Sequence, residues 1–129
     1  MATVLIVDDS KFDRETLKAL LEDAGHQVVG EAEDGAEAYV QYLRLQPDLV
    51  TMDIEMPGTD GVKALRKILY HFPDAKIVMV SAIAEKGVVM RTVWLGAKHF
   101  VAKPIAANKF LAIVNSVLGG TNKASSASF

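Results

Sequence analysis

A chain of 129 residues favours one domain built around one core. Half of its residues are hydrophobic and 23% are charged, as in an ordinary globular protein, and 14 Lys and Arg against 16 Asp and Glu leave a net charge of −2. That balance argues against a dedicated nucleic-acid surface, the lack of cysteine excludes disulfides, cysteine–zinc sites and thiol nucleophiles, and no stretch approaches the roughly 18 apolar residues that span a membrane.

Val4-Leu5-Ile6-Val7 is a short continuous apolar run, the pattern of a strand buried on both faces. It is too short for the core of a signal peptide and runs into two aspartates, so a soluble, cytoplasmic protein is expected. Ser10 with Asp13 three residues on reads as a helix cap with an acid in the first turn. Phe12, Leu17, Leu20, Leu21 and Ala24 then recur at helical spacing, and Gly25 provides the stop. Gln27 to Glu31 reads as a weaker strand at a sheet edge. A second helix opens at Gly35, runs through Leu45 and ends at Pro47. Asp48 to Asp53 is a third strand, and Glu55 to Gly61 is a loop by its Pro and Gly content. A third helix spans Val62 to His71, with Leu65, Ile68 and Leu69 apolar. Lys76 to Ser81 is a fourth strand, Glu85 to Leu95 a fourth helix closed by Gly96, Lys98 to Ala102 a fifth strand, and Ala107 to Leu118 a last helix.

Five strands alternating with five helices predict an α/β fold, a doubly wound parallel sheet covered by helices on both faces, because parallel neighbours need crossover connections. Residues 1–118 are expected to form the domain. Residues 119–129, with Gly119-Gly120 and a Ser- and Ala-rich end, lack periodicity and are expected to be a flexible tail, either a natural terminus or the stub of a linker.

In such a sheet, chemistry gathers at the carboxyl ends of the strands. This chain places Asp8-Asp9 at the end of the first strand, Asp53 at the third, Ser81 at the fourth and Lys103-Pro104 at the fifth. Three carboxylates on one rim repel one another, so they either take up protons or are offset by a cation. An all-oxygen set with no His or Cys in these motifs suits a hard divalent ion such as Mg2+. Mg2+ bound by a few carboxylates typically works with a phosphate partner. Lys103 supplies a mobile point charge for a phosphoryl oxygen and Ser81 a hydrogen bond for another. Asp53, at the centre of the rim, is then the candidate nucleophile, forming an acyl phosphate.

The set Val7-Asp8-Asp9-Ser10, Met52 to Gly61 (Asp53-Ile54-Glu55-Met56-Pro57-Gly58-Thr59-Asp60 among them), Val80-Ser81-Ala82, Gly96-Ala97 and Lys103-Pro104 resembles the CheY-like receiver domain of two-component response regulators, over roughly Thr3 to Leu118. Each motif alone has a plain structural explanation: a solvated turn, a polar strand end, core packing. Five in this order and spacing are specific. The resemblance implies a flavodoxin-like (βα)5 sheet of strand order 2-1-3-4-5 and phosphorylation of Asp53 by a histidine kinase or phosphotransfer protein. It implies Mg2+ held by Asp9 directly, by Asp8 partly through water, by Asp53 and by the backbone carbonyl of Glu55. It further implies a cis Lys103–Pro104 bond, Ser81 and Lys103 as the groups that grip the phosphoryl group, and Phe100 as the aromatic that turns on activation. Such a domain is not an enzyme beyond its own phosphoryl transfer and slow dephosphorylation. Its face of fourth helix, fifth strand and fifth helix would control an output protein, in chemotaxis or a phosphorelay, with no direct nucleic-acid or membrane partner and as a monomer or weak dimer.

In the fourth helix, Val88, Val89, Met90, Val93, Trp94 and Leu95 go most of the way round, so one face cannot bury them all. The family's register would put Met90 and Val93 inward and leave Val89 and Trp94 at least partly exposed, as a docking face for the partner or a second copy, or with Trp94 folded back on neighbouring helices. His26, His71 and His99 share no motif and read as surface or packing residues. Glu55 and Ile83 depart from common forms of the family, placing an acid and an apolar group where attacking water or a phosphatase residue would approach. The competing readings are an aspartyl-phosphate hydrolase, a flavodoxin-like cofactor binder, a receiver that has lost phosphorylation, or the receiver part of a longer DNA-binding or enzymatic regulator. The first lacks the second acid two residues after a first-strand nucleophile, since position 10 is Ser, and the second lacks a hydroxyl- and glycine-rich loop where Asp8-Asp9 stand.

Overall fold

Strict alternation of strand and helix is what the chain adopts. The computed structural model describes residues 1–119. In chain order the elements are β1 (Thr3–Val7), α1 (Lys11–Asp23), β2 (Gln27–Ala32), α2 (Gly35–Leu45), β3 (Leu49–Met52), α3 (Gly61–His71), β4 (Ile77–Ser81), α4 (Lys86–Leu95), β5 (His99–Ala102) and α5 (Ala107–Gly119). The strands form one five-stranded parallel sheet in the order β2-β1-β3-β4-β5, as expected, with β2 at an edge. Of the expected flexible tail, all but Gly119 lies outside the described residues.

The continuous apolar runs are explained by the two cores they divide. Leu5, Val7, Val50, Met52, Ile77 and Met79 point to one side, where Ala38 and Tyr42 of α2 and Ala64, Leu65 and Ile68 of α3 pack on them. The alternate residues Val4, Ile6, Leu49, Val78, Val80 and Val101 point to the other, against Leu17 and Leu21 of α1 and Phe110, Ile113 and Val114 of α5. Successive side chains on a strand face opposite ways, so a strand covered on both faces is apolar at nearly every position, the buried Thr51 of β3 being an exception. Side-chain caps start three of the helices: Ser10, Asp34 and Asp60 accept hydrogen bonds from the backbone N–H of Asp13, Glu37 and Lys63.

The fourth helix departs from expectation. Met90 and Val93 are 59% and 49% exposed, and the inward stripe is Val88, Thr92 and Leu95. Apolar patterning alone misleads because a polar residue takes the buried position. The Thr92 hydroxyl donates to the Val89 carbonyl at 2.8 Å, which removes the cost of burying it. Trp94 stands 86% exposed and does not fold back, and Val89 is half-buried.

Gly61 ties α3 to the end of β3. Its N–H donates to the Ile54 carbonyl at 2.8 Å, and a Cβ there would sit 1.8 Å from the Asp53 carbonyl oxygen. Gly61→Ala is therefore expected to destabilise the fold by about 1–3 kcal/mol, seen as a lower urea midpoint. An unchanged midpoint would mean that α3 does not press on Asp53.

Candidate functional site

The parallel register brings the strand ends together. Asp53 follows β3 and donates its N–H to the Val7 carbonyl, Asp8 follows β1 and donates to Ala32, and Lys103 follows β5 and donates to Ser81. Asp8, Asp9, Asp53, Ser81 and Lys103, far apart in sequence, thus meet on one rim. A pocket of about 210 Å³ is lined there by Asp9, Ser10, Asp13, Asp53, Glu55, Ser81, Ala82 and Lys103. The Lys103–Pro104 peptide is cis, as the resemblance implied.

One carboxylate oxygen from each of Asp8, Asp9 and Asp53 lies within 4.8 Å of the others. Asp8 and Asp53 are buried, at 1% and 5% exposure, whereas Asp9 is exposed. Asp8 is held on both oxygens: Oδ1 accepts from the Ser10 N–H at 2.9 Å, and Oδ2 from Lys103 Nζ at 2.8 Å. Asp53 Oδ1 accepts from the Ile54 N–H at 2.8 Å, which sets the rotation of the carboxylate. Its Oδ2 lies 3.7 Å from Lys103 Nζ.

These surroundings decide the charges. Burial raises the Asp53 pKa from 3.8 to about 6, and the Asp8 and Asp9 charges add to the rise, while Lys103 and the Ile54 N–H oppose it. Burial also works against the charge on Lys103. Its hydrogen bonds to Asp8 and Asp13 and the nearby Asp53 more than offset this, so its pKa is raised and it stays an ammonium. Among the described residues a single ammonium, that of Lys103, faces Asp8, Asp9, Asp13 and Asp53, so the site is short of positive charge. Oxygen donors at these separations, one of them exposed enough to leave room for retained waters, fit a hard divalent cation.

Ser81 is fully buried, and its Oγ accepts from the Ile83 N–H at 3.0 Å. Phe100 on β5 is half-buried against the core beneath α2, α3 and α4, opposite Met79. Glu55 is exposed at the pocket, and Lys103 pairs with Asp8 and Asp13 rather than with it. The side chain of Ile83 lines a separate groove between α3 and α4 with Ile54, Val62 and Val88. Val89 and Trp94 on α4 belong to neither cavity. The histidines stay apart from the site, His26 accepting from the Ala2 N–H through Nδ1 at 3.2 Å.

Two supporting residues escape the sequence reading. Arg14 donates from Nη1 to the Asp8 carbonyl and from Nε to Glu31, each at 2.8 Å, bracing the end of β1. Asp13, read only as an acid in a helix's first turn, accepts from Lys103 Nζ at 2.9 Å. Its signal was its place on α1 directly after the acidic pair, at the helix end that faces the rim.

A family sequence model described as the response regulator receiver domain matches residues 4–115. Protein CcdB of Bacillus subtilis is 46% identical, over 92% of this chain and 99% of its own length. Chemotaxis protein CheY of Listeria monocytogenes is 43% identical, over 86% of this chain and 93% of its own. A chain in the crystal structure of the CheX–CheY–BeF3–Mg2+ complex from Borrelia burgdorferi superposes with a TM-score of 0.87 at 37% identity, covering 89% of this chain and 87% of that one.

Proposed function

This chain belongs to the response regulator receiver domain family and is a phosphorylation-responsive signalling switch, and we propose that Asp53 is the residue that takes up the phosphoryl group. A carboxylate oxygen of Asp53 attacks the phosphorus of a phosphohistidine on a histidine kinase or phosphotransfer protein. The P–N bond breaks, the electron pair and a proton remain with the imidazole, and an acyl phosphate forms. The observation that carries this reading is the convergence of the Asp8, Asp9 and Asp53 carboxylates, with Lys103 Nζ 2.8 Å from Asp8 and 3.7 Å from Asp53.

Asp9 and Asp53, with Asp8 behind them and the Glu55 carbonyl beside them, would hold Mg2+, which supplies the positive charge that an incoming phosphoryl group requires. The Borrelia complex, crystallised with BeF3 and Mg2+, supports this assignment by its likeness to the present chain. Ile54 N–H orients Asp53, Lys103 offers its ammonium to one phosphoryl oxygen, and Ser81 offers its hydroxyl to another. Ser81 Oγ accepts from the Ile83 N–H, which leaves its O–H available to donate as it turns toward the phosphoryl group. Two charge-assisted hydrogen bonds at roughly 1.5–3 kcal/mol each supply on the order of 3–6 kcal/mol. Inverting a two-state equilibrium from about 1:99 to 99:1 needs roughly 5.5 kcal/mol, which the two reach at the upper end of that range when nearly all of the gain belongs to one state.

The readout is the face of α4, β5 and α5. Movement of Ser81 gives Phe100 room to turn inward, and the half-buried Val89 and the exposed Trp94 present the altered surface to an output protein. The domain turns over no substrate other than its own phosphoryl group. Its likeness to CheY proteins supports a cytoplasmic, chemotaxis-type role, and no described helix is long and apolar enough to cross a membrane.

Incubation with acetyl phosphate and Mg2+, followed by intact-mass measurement, tests the assignment. One added phosphoryl group is expected on the native chain and none on Asp53→Ala. Modification retained in the variant would move the acceptor elsewhere.

A further inference from the structure

Lys103 is already engaged by a residue that the phosphorylation chemistry does not require. An ammonium has three N–H donors, and two of them are taken, by Asp8 Oδ2 at 2.8 Å and Asp13 Oδ2 at 2.9 Å. Asp53 Oδ2, at 3.7 Å, lies beyond hydrogen-bond reach. The two acids that hold Lys103 differ in what surrounds them. Asp8 is 1% exposed and cannot replace the ammonium with water, whereas the Asp13 side chain is 29% exposed and can. Asp13 is also firmly placed, because its N–H donates to the Ser10 cap at 3.2 Å on the first turn of α1.

We propose that Asp13 is a positioning residue that acts as a brake on the switch. It holds Lys103 in the unphosphorylated arrangement, and the Lys103–Asp13 bond is the one that yields when the ammonium closes on a phosphoryl group at Asp53. A dianionic phosphoryl group outcompetes a single, hydrated carboxylate, while the buried Asp8 keeps its bond through the exchange. The strength of the brake is that of a partly exposed ion pair, so it tunes the switch without blocking it. The inference rests on Asp53 being the phosphoacceptor.

The test compares the native chain with Asp13→Asn and Asp13→Ala in two measurements. In the unphosphorylated protein, the side-chain ammonium resonance of Lys103 is followed by 15N NMR. It is expected to shift and to exchange faster with solvent in both variants, and an unchanged signal would mean that Asp13 does not hold the lysine. In the second, BeF3 is titrated in the presence of Mg2+, with the amide of Ile54 as reporter. Both variants are expected to bind roughly 1.5- to five-fold more tightly, the range set by a partly exposed ion pair. The gain should persist at an ionic strength on the order of 0.5 M, where through-space effects of an exposed charge are screened. Equal or weaker binding in the variants, or a gain that vanishes in salt, overturns the brake. Absence of a BeF3 adduct in every protein, native chain included, overturns instead the assignment of Asp53, and the brake with it.

Discussion

Asp53→Asn is expected to make the metal-free protein more stable at about pH 8, by about 2–3 kcal/mol, while removing all phosphorylation at that position. The stability gain follows from the cost of keeping this carboxylate ionised. A pKa raised from 3.8 to about 6 corresponds to about 3 kcal/mol at 1.36 kcal/mol per pH unit, and Asp53 is too buried for solvent to screen much of it. Because the folded-state pKa lies above the unfolded one, the folded state binds more protons between about pH 4 and pH 6. Stability therefore falls as the pH rises through that window, and the full penalty stands above it. Asn removes the charge but keeps an oxygen for the Ile54 N–H. Urea titrations across the pH range should show the variant ahead at neutral pH and level with the native chain near pH 4. Mg2+ should narrow the gap. Binding only the folded state at ten times its Kd adds about 1.4 kcal/mol to the native chain, and less to a variant that has lost a ligand carboxylate. A variant no more stable than the native chain at about pH 8 would mean that Asp53 is not strained by its neighbours.

The opposite sign is expected at Lys103. Lys103→Met keeps most of the aliphatic stem but deletes the charge that holds Asp8, Asp13 and Asp53 together. Breaking a buried ion pair from one side costs roughly 3–5 kcal/mol, because the remaining carboxylate is left desolvated and unpaired. With Asp8 almost wholly buried, a loss of about 3 kcal/mol without metal is expected at about pH 8. Acidification should shrink the loss, since protonating Asp53 relieves part of the repulsion, and so should Mg2+, which supplies the missing charge. Phosphorylation by acetyl phosphate should become slower, with Asp53 still the site of modification. If Lys103→Met unfolds at the same urea concentration as the native chain without metal, the ammonium is not what balances the rim. Opposite shifts from two substitutions 3.7 Å apart are difficult to obtain from packing alone, which makes the pair diagnostic.

Both expectations arise from one imbalance. The rim carries more negative than positive charge before any ligand arrives, and the parallel sheet keeps it so by fixing Asp8, Asp53 and Lys103 through backbone hydrogen bonds to neighbouring strands. The fold spends stability on a site that a cation and a phosphoryl group can complete.

Much of this was written in the primary structure. A strand covered on both faces is apolar nearly throughout, so Val4 to Val7 and Ile77 to Val80 identify themselves, and a parallel sheet gathers the residues at the ends of its strands on one rim. Asp8, Asp9, Asp53, Ser81 and Lys103 were legible for that reason, since their positions depend only on where strands stop. The caps at Ser10, Asp34 and Asp60 are likewise local, each being a bond between residues three apart. What only the tertiary structure decided lies between elements. The register of α4 turned on Thr92, whose hydroxyl is satisfied by its own helix and so can face the core. The need for glycine at position 61 comes from the Asp53 carbonyl pressing on it. Asp13 became a partner of Lys103 because α1 starts beside the end of β5, ninety residues away in sequence. Periodicity reports which face of an element is apolar; it carries no information on which charged tips will meet once the faces are joined.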